Sequence, residues 1–205
     1  MPVPPFLRGL SLGLSLIVAI GPQNAFVLRQ GLARRHALLA ALACSLCDTL
    51  LTAVGVLGVG ALLARSPALV TAGTLVGAAF LGWYGWRSFR SAHHPVTLDT
   101  GGQAAATPAA VIATASAFSL LNPHAILDTV VLIGGASAGL SDQARWAFLG
   151  GAVAASWLWF FALALLAGRL TSLMRSVRAW QVLDILIGAM MWVIAAGLVT
   201  SLLQK

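Results

Sequence analysis

The sequence predicts an all-α membrane protein: six transmembrane helices arranged as two inverted three-helix repeats, with the first and fourth helices broken. Hydrophobic residues make up 60% of the 205 and charged residues only 8%, against about 45–50% and about 25% in soluble domains. Charge-poor runs recur at 6–28, 37–64, 67–87, 109–136, 145–168 and 180–203, each near or above the roughly 20 residues that cross a bilayer. The first and fourth runs are interrupted by proline beside amides, at Gly21-Pro22-Gln23-Asn24 and Asn122-Pro123-His124, where a membrane helix should be least polar.

Six such spans use nearly the whole chain and leave no room for a soluble catalytic domain, so neither an enzyme nor a cofactor is expected. Eleven Arg and one Lys stand against five Asp and no Glu, a formal charge of +7. In a soluble chain that excess points to nucleic acid. Here the cations fall between apolar runs and read as topology signals, so the expected surroundings are membrane lipid and no nucleic acid.

The first run, Phe6 to Ile20 behind Arg8, has the look of a signal peptide but no small-x-small cleavage site, and it continues into the Gly21-Pro22 break. It reads as a retained crossing. The second run holds Asp48 near its centre, with Cys44 and Cys47 a turn before it. In the third, Gly73 and Gly77 have the spacing that lets helices approach closely, within a subunit or at a homodimer seam. Residues 91–108 contain His93, His94, Pro95, Asp99, Gly101, Gly102 and Gln103, the one long polar stretch. It reads as a cytoplasmic linker between a first repeat, 1–90, and a second, 109–205. The fourth run carries Asp128, and the fifth carries Trp157 and Trp159. Trp83, Trp86, Trp146 and Trp180 lie near span ends as interfacial anchors.

Three crossings is an odd number, so the second repeat enters the membrane upside down relative to the first. Matched broken helices in inverted repeats point to a binding site near the midplane. One side of the six-span arrangement holds Arg8, Arg65, Arg145 and Lys205; the other holds Arg29, Arg34, Arg35, Arg87, Arg90, Arg169, Arg175 and Arg178. The richer side is expected in the cytoplasm, which places both termini in the periplasm.

Each break reads as a helix restart, with Asn122 or Gly21 as the N-cap and Pro123 or Pro22 as the first helical residue. A restart presents backbone N–H groups and a positive dipole end, which suit a carboxylate. A proline kink satisfied by neighbouring helices is the plainer alternative. Asp48 and Asp128 are more specific, because an acid at a span centre costs roughly 2.5–3.5 kcal/mol on the insertion scale. His124 and Asp128 are four apart, so His124 is placed to hydrogen-bond that carboxylate. A purely structural reading ties either acid to Gln23, Asn24, Ser45 or Thr129. Buried negative charge beside helix origins complements a molecule with a cation at one end and a carboxylate at the other, and cationic amino acids fit best.

At these residues the sequence closely resembles the LysE family of basic amino-acid exporters, particularly its arginine exporter branch. The resemblance lies in Gly21-Pro22-Gln23-Asn24-Ala25-Phe26-Val27, Asp48, Leu121-Asn122-Pro123-His124, Leu127-Asp128-Thr129 and Ser156-Trp157-Leu158-Trp159-Phe160-Phe161. It implies a bacterial inner-membrane secondary transporter that expels L-arginine or L-lysine. Related branches move neutral amino acids, and more distant ones move divalent metals. The candidate substrate-binding residues are Asp48, Asp128, Gln23, Asn24, Asn122, His124 and Trp157, with Gly21, Pro22 and Pro123 forming the breaks. Moving a cation out against an inside-negative potential costs roughly 2.3 kcal/mol per 100 mV. Export therefore needs coupling, and protons are the expected ion because proton and substrate cation compete for one carboxylate. Cys44, Cys47, Asp48, His124 and Asp128 would be the mixed ligands of a metal exporter, and the cysteine pair alone the basis of a thiol relay. Small-residue packing is the favoured role for both thiols, and no resident metal is expected.

Overall fold

A computed structural model describes residues 3–18, 21–57, 67–93, 107–122, 126–137, 139–169 and 176–203. All of its described regular elements are helical: α1 Pro5–Ile17, α2 Pro22–Leu32, α3 Ala37–Val56, α4 Pro67–His93, α5 Pro108–Leu120, a π-helical segment π1 Leu127–Ile133, α6 Gly134–Ser137, α7 Asp142–Arg169 and α8 Val177–Leu203. By length and composition α3, α7 and Val177–Thr200 of α8 are each able to cross a bilayer, and α1 with α2, bent by 78° between them, is apolar and long enough to be a fourth span if the pair counts as one.

The bend has a local cause. Gly21 is extended, with φ −125° and ψ −178°, and Pro22 opens α2 as its first residue. The Gly21 carbonyl takes the first helical hydrogen bond, from Ala25 N at 3.0 Å. Proline has no N–H to give the turn before it but costs nothing at a first helical position. The second break is similar at its near edge. Helix α5, capped by the Thr107 hydroxyl, ends at Leu120, and the Asn122 carbonyl accepts from Ile126 N at 3.1 Å. The chain then continues as π1, where the sequence pattern alone indicates an α-helix. The β-branched run Thr129-Val130-Val131 crowds an α-turn, and the wider π-turn is a conformation found mostly at functional sites.

Each broken helix lies along an unbroken one. Helices α1 and α2 follow α7 in parallel order, with Gly9 against Phe148, Gly13 against Ala152 and Ala155, and Gly31 against Ala167. Helix α5 and π1 follow α3 in the same sense, Cys47 beside Ser116 and Gly55 against Val130. Helices α4 and α8 pair antiparallel: Gln181 Nε2 donates to the Ala92 carbonyl at 3.2 Å and Trp192 Nε1 to the Gly82 carbonyl at 3.1 Å. At the α1–α7 seam the backbones touch, because a Cβ on Gly9 would land on the Phe148 carbonyl and one on Gly151 on the Phe6 carbonyl. Small residues at such a seam let dispersion contacts form where lipid offers no hydrophobic gain.

The side chains are distributed as a bilayer demands. Trp83, Trp86, Trp146, Leu158, Leu186 and Val193 are exposed on the outside, whereas Asn24, Arg29, Gln30, Ser45, Asp48 and Asp184 are buried. Phe26, Phe80 and Tyr84 close on Phe118 with ring centroids 4.7–5.6 Å apart, joining α2, α4 and α5. Two sequence expectations change. Trp180 is no interfacial anchor; it is buried against Leu32 and Ala167. Helix α4 runs on to His93, with Ser91 and Ala92 buried, so the first residues assigned to the linker are helical.

Gly9→Leu or Gly151→Leu should push α1 off α7 and lower stability by about 1–3 kcal/mol, the usual range for overpacking. Thermal unfolding of the detergent-solubilised chain checks this against Gly197→Ala, where a Cβ meets nothing within 4 Å and no loss is expected.

Candidate functional site

The site forms where α2, α3, α5 and α7 meet. Asp48 lies near the middle of α3 and is 7% exposed. Its Oδ1 accepts a hydrogen bond from Gln23 Nε2 at 2.9 Å and its Oδ2 one from Ser156 Oγ at 3.3 Å. The same Gln23 amide donates to Ser119 Oγ at 2.8 Å, and Ser119 donates to the Ala115 carbonyl at 3.0 Å. Gln23 reaches all of these because it is the second residue of α2, and side chains there lean toward the helix origin. The carboxylate is thus held by neutral donors, and among the described residues no cation pairs with it. One turn earlier on the same face, Ser45 Oγ is fully buried and has no hydrogen-bond partner among the described residues.

A second set of contacts fixes the first. Asn24 spans the break. Its Nδ2 donates to the Ile17 carbonyl at 2.8 Å, across the break, and its Oδ1 accepts from Trp159 Nε1 at 3.0 Å. It satisfies a carbonyl that the end of α1 leaves open and ties the break to α7. Trp157 Nε1 donates to Thr49 Oγ1 at 3.1 Å, and its ring stacks on Phe161 at 5.7 Å. Asn122 is buried at the end of α5. Pro123 and His124 lie outside the described residues, and Asp128 is placed by its backbone within π1. That segment meets α3 at Gly55, whose Cβ position lies 3.0 Å from the Thr129 carbonyl. Gly55 is seven residues beyond Asp48, on the order of 10 Å at 1.5 Å per residue.

Of the expected residues, the structure joins Gln23 to Asp48 directly and sets Asn24 and Trp157 one contact further out. Ser119, Ser156 and Thr49 were not singled out as ligands by the sequence; the signal for Ser119 and Thr49 is a hydroxyl inside an apolar run, and Ser156 lies in the stretch that carries the family resemblance. A second buried charge cluster also escapes the sequence pattern. Arg29 Nη1 pairs with Asp184 Oδ1 at 2.9 Å, the side chains being 3% and 5% exposed. Tyr84 hydrogen-bonds to Arg29 and Ser91 to Asp184. Sequence position groups Arg29 with the loop cations, yet it is internal. Asp184, eight residues into α8, was the available clue, since a lone acid in an apolar span requires a partner.

The pair lies toward one end of the bundle. The ends of α2 and α7 are joined by Arg34 Nη2 donating to the Gly168 carbonyl at 3.4 Å, and the end of α4 meets the start of α8 through Gln181. Arg34, Arg35, Arg87, Arg90, Arg169 and Arg178 are thereby gathered at that end. Among the described residues no three His, Cys, Asp or Glu side chains form a metal-binding group. Cys44 is buried, and the Cys47 thiol faces Ser116 Oγ at 3.7 Å.

Residues 14–202 match the family model described as LysE type translocator. The chain is 41% identical over 194 residues to the arginine exporter protein ArgO of Serratia proteamaculans, covering 94% of this chain and 95% of that protein. It is 42% identical over 192 residues to the protein of the same name from Yersinia enterocolitica, with 93% of each covered. To its namesake in Salmonella schwarzengrund it is 40% identical over 191 residues, covering 93% and 90%. No solved structure matches the chain.

Gln23→Ala should strip buried Asp48 of its nearest donor and lower stability by about 1–3 kcal/mol, the range for a stranded buried polar group. Thermal unfolding should show a larger fall than for Gln181→Ala, whose amide serves a single backbone carbonyl.

Proposed function

The chain belongs to the LysE type translocator family, and from that membership we propose that it exports L-arginine across the bacterial inner membrane in exchange for protons, with Asp48 receiving the substrate's side-chain cation. It is a multi-pass membrane translocator and not an enzyme. The observation that carries the reading is the contrast between its two buried acids. Asp184 has a cation, Arg29; Asp48 has, among the described residues, the Gln23 amide and the Ser156 hydroxyl. A buried carboxylate without a countercharge is strongly stabilised by any cation that reaches it.

The geometry favours a guanidinium. Gln23 Nε2, 2.9 Å from Asp48 Oδ1, marks where a planar N–H donor sits, and a guanidinium can displace it while reaching both carboxylate oxygens. Lysine offers the same carboxylate a point charge without the fork. A neutral side chain would leave the buried charge uncompensated. The substrate's own carboxylate is assigned to the origin of α2 at Gly21 and Pro22, which no side chain caps, or to the restart at Asn122. Asp128, on π1 of the other broken helix, is the second acid of the route.

Alternating access follows from an inverted repeat, for which the helix packing is the support. Exchanging the halves carries α1 and α2 on α7 into α5 and π1 on α3, and it carries the antiparallel α4–α8 pair into itself. The arginine-rich end is assigned to the cytoplasm, with seven loop cations against four once Arg29 is set aside as buried; both termini then face the periplasm. The substrate enters from that end and binds Asp48, the halves rock, and a proton replaces the departing cation on the carboxylate.

Vesicles loaded with labelled arginine or lysine, with membrane potential and pH gradient imposed separately, test the whole reading. Arginine efflux driven by an opposing proton gradient is expected; efflux indifferent to both gradients would point to facilitated passage. Asp48→Asn should reduce arginine efflux to the level of protein-free vesicles while the chain still inserts, and normal efflux would remove Asp48 from the mechanism. Replacing Cys44 and Cys47 together by serine should leave arginine export intact; its loss would revive the metal or thiol readings.

A further inference from the structure

We propose that Asp184 is a second cation-binding site on the transport route, filled in this conformation by the guanidinium of Arg29 as a tethered stand-in for the substrate's own cation. The inference rests on the arginine-export reading and adds a site to it. Helix α2 touches both buried acids: Gln23 in its first turn holds Asp48, and Arg29 in its last turn holds Asp184. Six residues separate them, about 9 Å of helix. The Asp184 pair lies at the end of α2 nearer the arginine-rich face, so a cation arriving from that face meets Asp184 before Asp48.

The pairing is that of an exchangeable occupant. A buried ion pair contributes little stability unless every donor and acceptor is matched. Here Arg29 Nη1 meets Asp184 Oδ1 at 2.9 Å, and Arg29 Nε is buried without a hydrogen-bond partner among the described residues. The group held there is the same group an arginine substrate carries, and Tyr84 and Ser91 supply a hydroxyl to each partner. A substrate guanidinium that takes Asp184 releases Arg29, and with it the last turn of α2 from α8, which otherwise lies along α4. When the substrate moves on to Asp48, Arg29 returns and the route behind it closes. Asp184 binds guanidinium and alkylammonium cations, and Arg29 sets how readily they enter.

Equilibrium binding of radiolabelled L-arginine to the full chain in lipid nanodiscs tests this, in an Asp48→Asn background that silences the first site. Binding should be weak with Arg29 in place. Arg29→Lys keeps the charge but gives up the fork, so arginine should displace it more easily and apparent affinity should rise about tenfold. Arg29→Met should raise it further and should make the melting temperature climb with added arginine, by mass action. Adding Asp184→Asn should abolish both effects. Unchanged affinity in Arg29→Lys overturns the proposal, and that variant decides the matter if Arg29→Met does not fold. Failure of the export reading has a different signature, namely no Asp48-dependent arginine binding or efflux by the unaltered chain.

Discussion

A charge inside an apolar bundle must be compensated, because lipid and aliphatic side chains offer it nothing. Each intramembrane acid costs several kcal/mol if left alone, and the two that the structure describes with their partners meet that demand in opposite ways. Asp184 takes a full countercharge from Arg29. Asp48 takes two neutral hydrogen bonds and, among the described residues, no countercharge. A transporter of cations needs a carboxylate that a moving cation can reach, either one held by neutral donors or one whose paired cation can be exchanged.

Helix α2 connects these two solutions, and it exists as a separate helix because Pro22 cannot continue α1. An unbroken first helix would set Gln23 within a continuous turn, its side chain directed along the helix and not across to α3. The break lets α2 turn through 78°, so that its origin faces Asp48 and its end reaches α8. Asn24 holds that geometry by bonding back to the last carbonyl of α1 and sideways to Trp159. The polar residues of the Gly-Pro-Gln-Asn motif therefore divide the work: Gln23 attends to the carboxylate and Asn24 to the backbone.

The long helices supply the rigidity that the broken ones lack. Helix α7 is a continuous splint for α1 and α2, and α3 serves α5 and π1 in the same way. Glycines at the contacts bring backbones together, which suits a bilayer setting where close dispersion contacts, and not water expulsion, drive association. Because each splint comes from the opposite half of the chain, a change at one broken helix is transmitted directly to the other half. That interlocking is what a rocking mechanism requires.

Composition and spacing by themselves determined the helical class, the positions of the apolar runs, the restart at Gly21-Pro22 and an acid, Asp48, at mid-span. All of these follow from local rules: apolar length, the chemistry of proline, and the cost of an acid at mid-span. The partners of Asp48 were legible only in part. Gln23 was visible because it sits in the broken motif, whereas Ser156 is 108 residues away from Asp48 and its spacing does not point to that carboxylate. The Arg29–Asp184 pairing was decided by tertiary structure. Asp184 in an apolar span calls for a partner, Arg29 reads as a loop cation, and only the packing of α2 against α8 brings the two together. Sequence periodicity reports which residues share a face of one helix; it does not report which face of another helix they will meet.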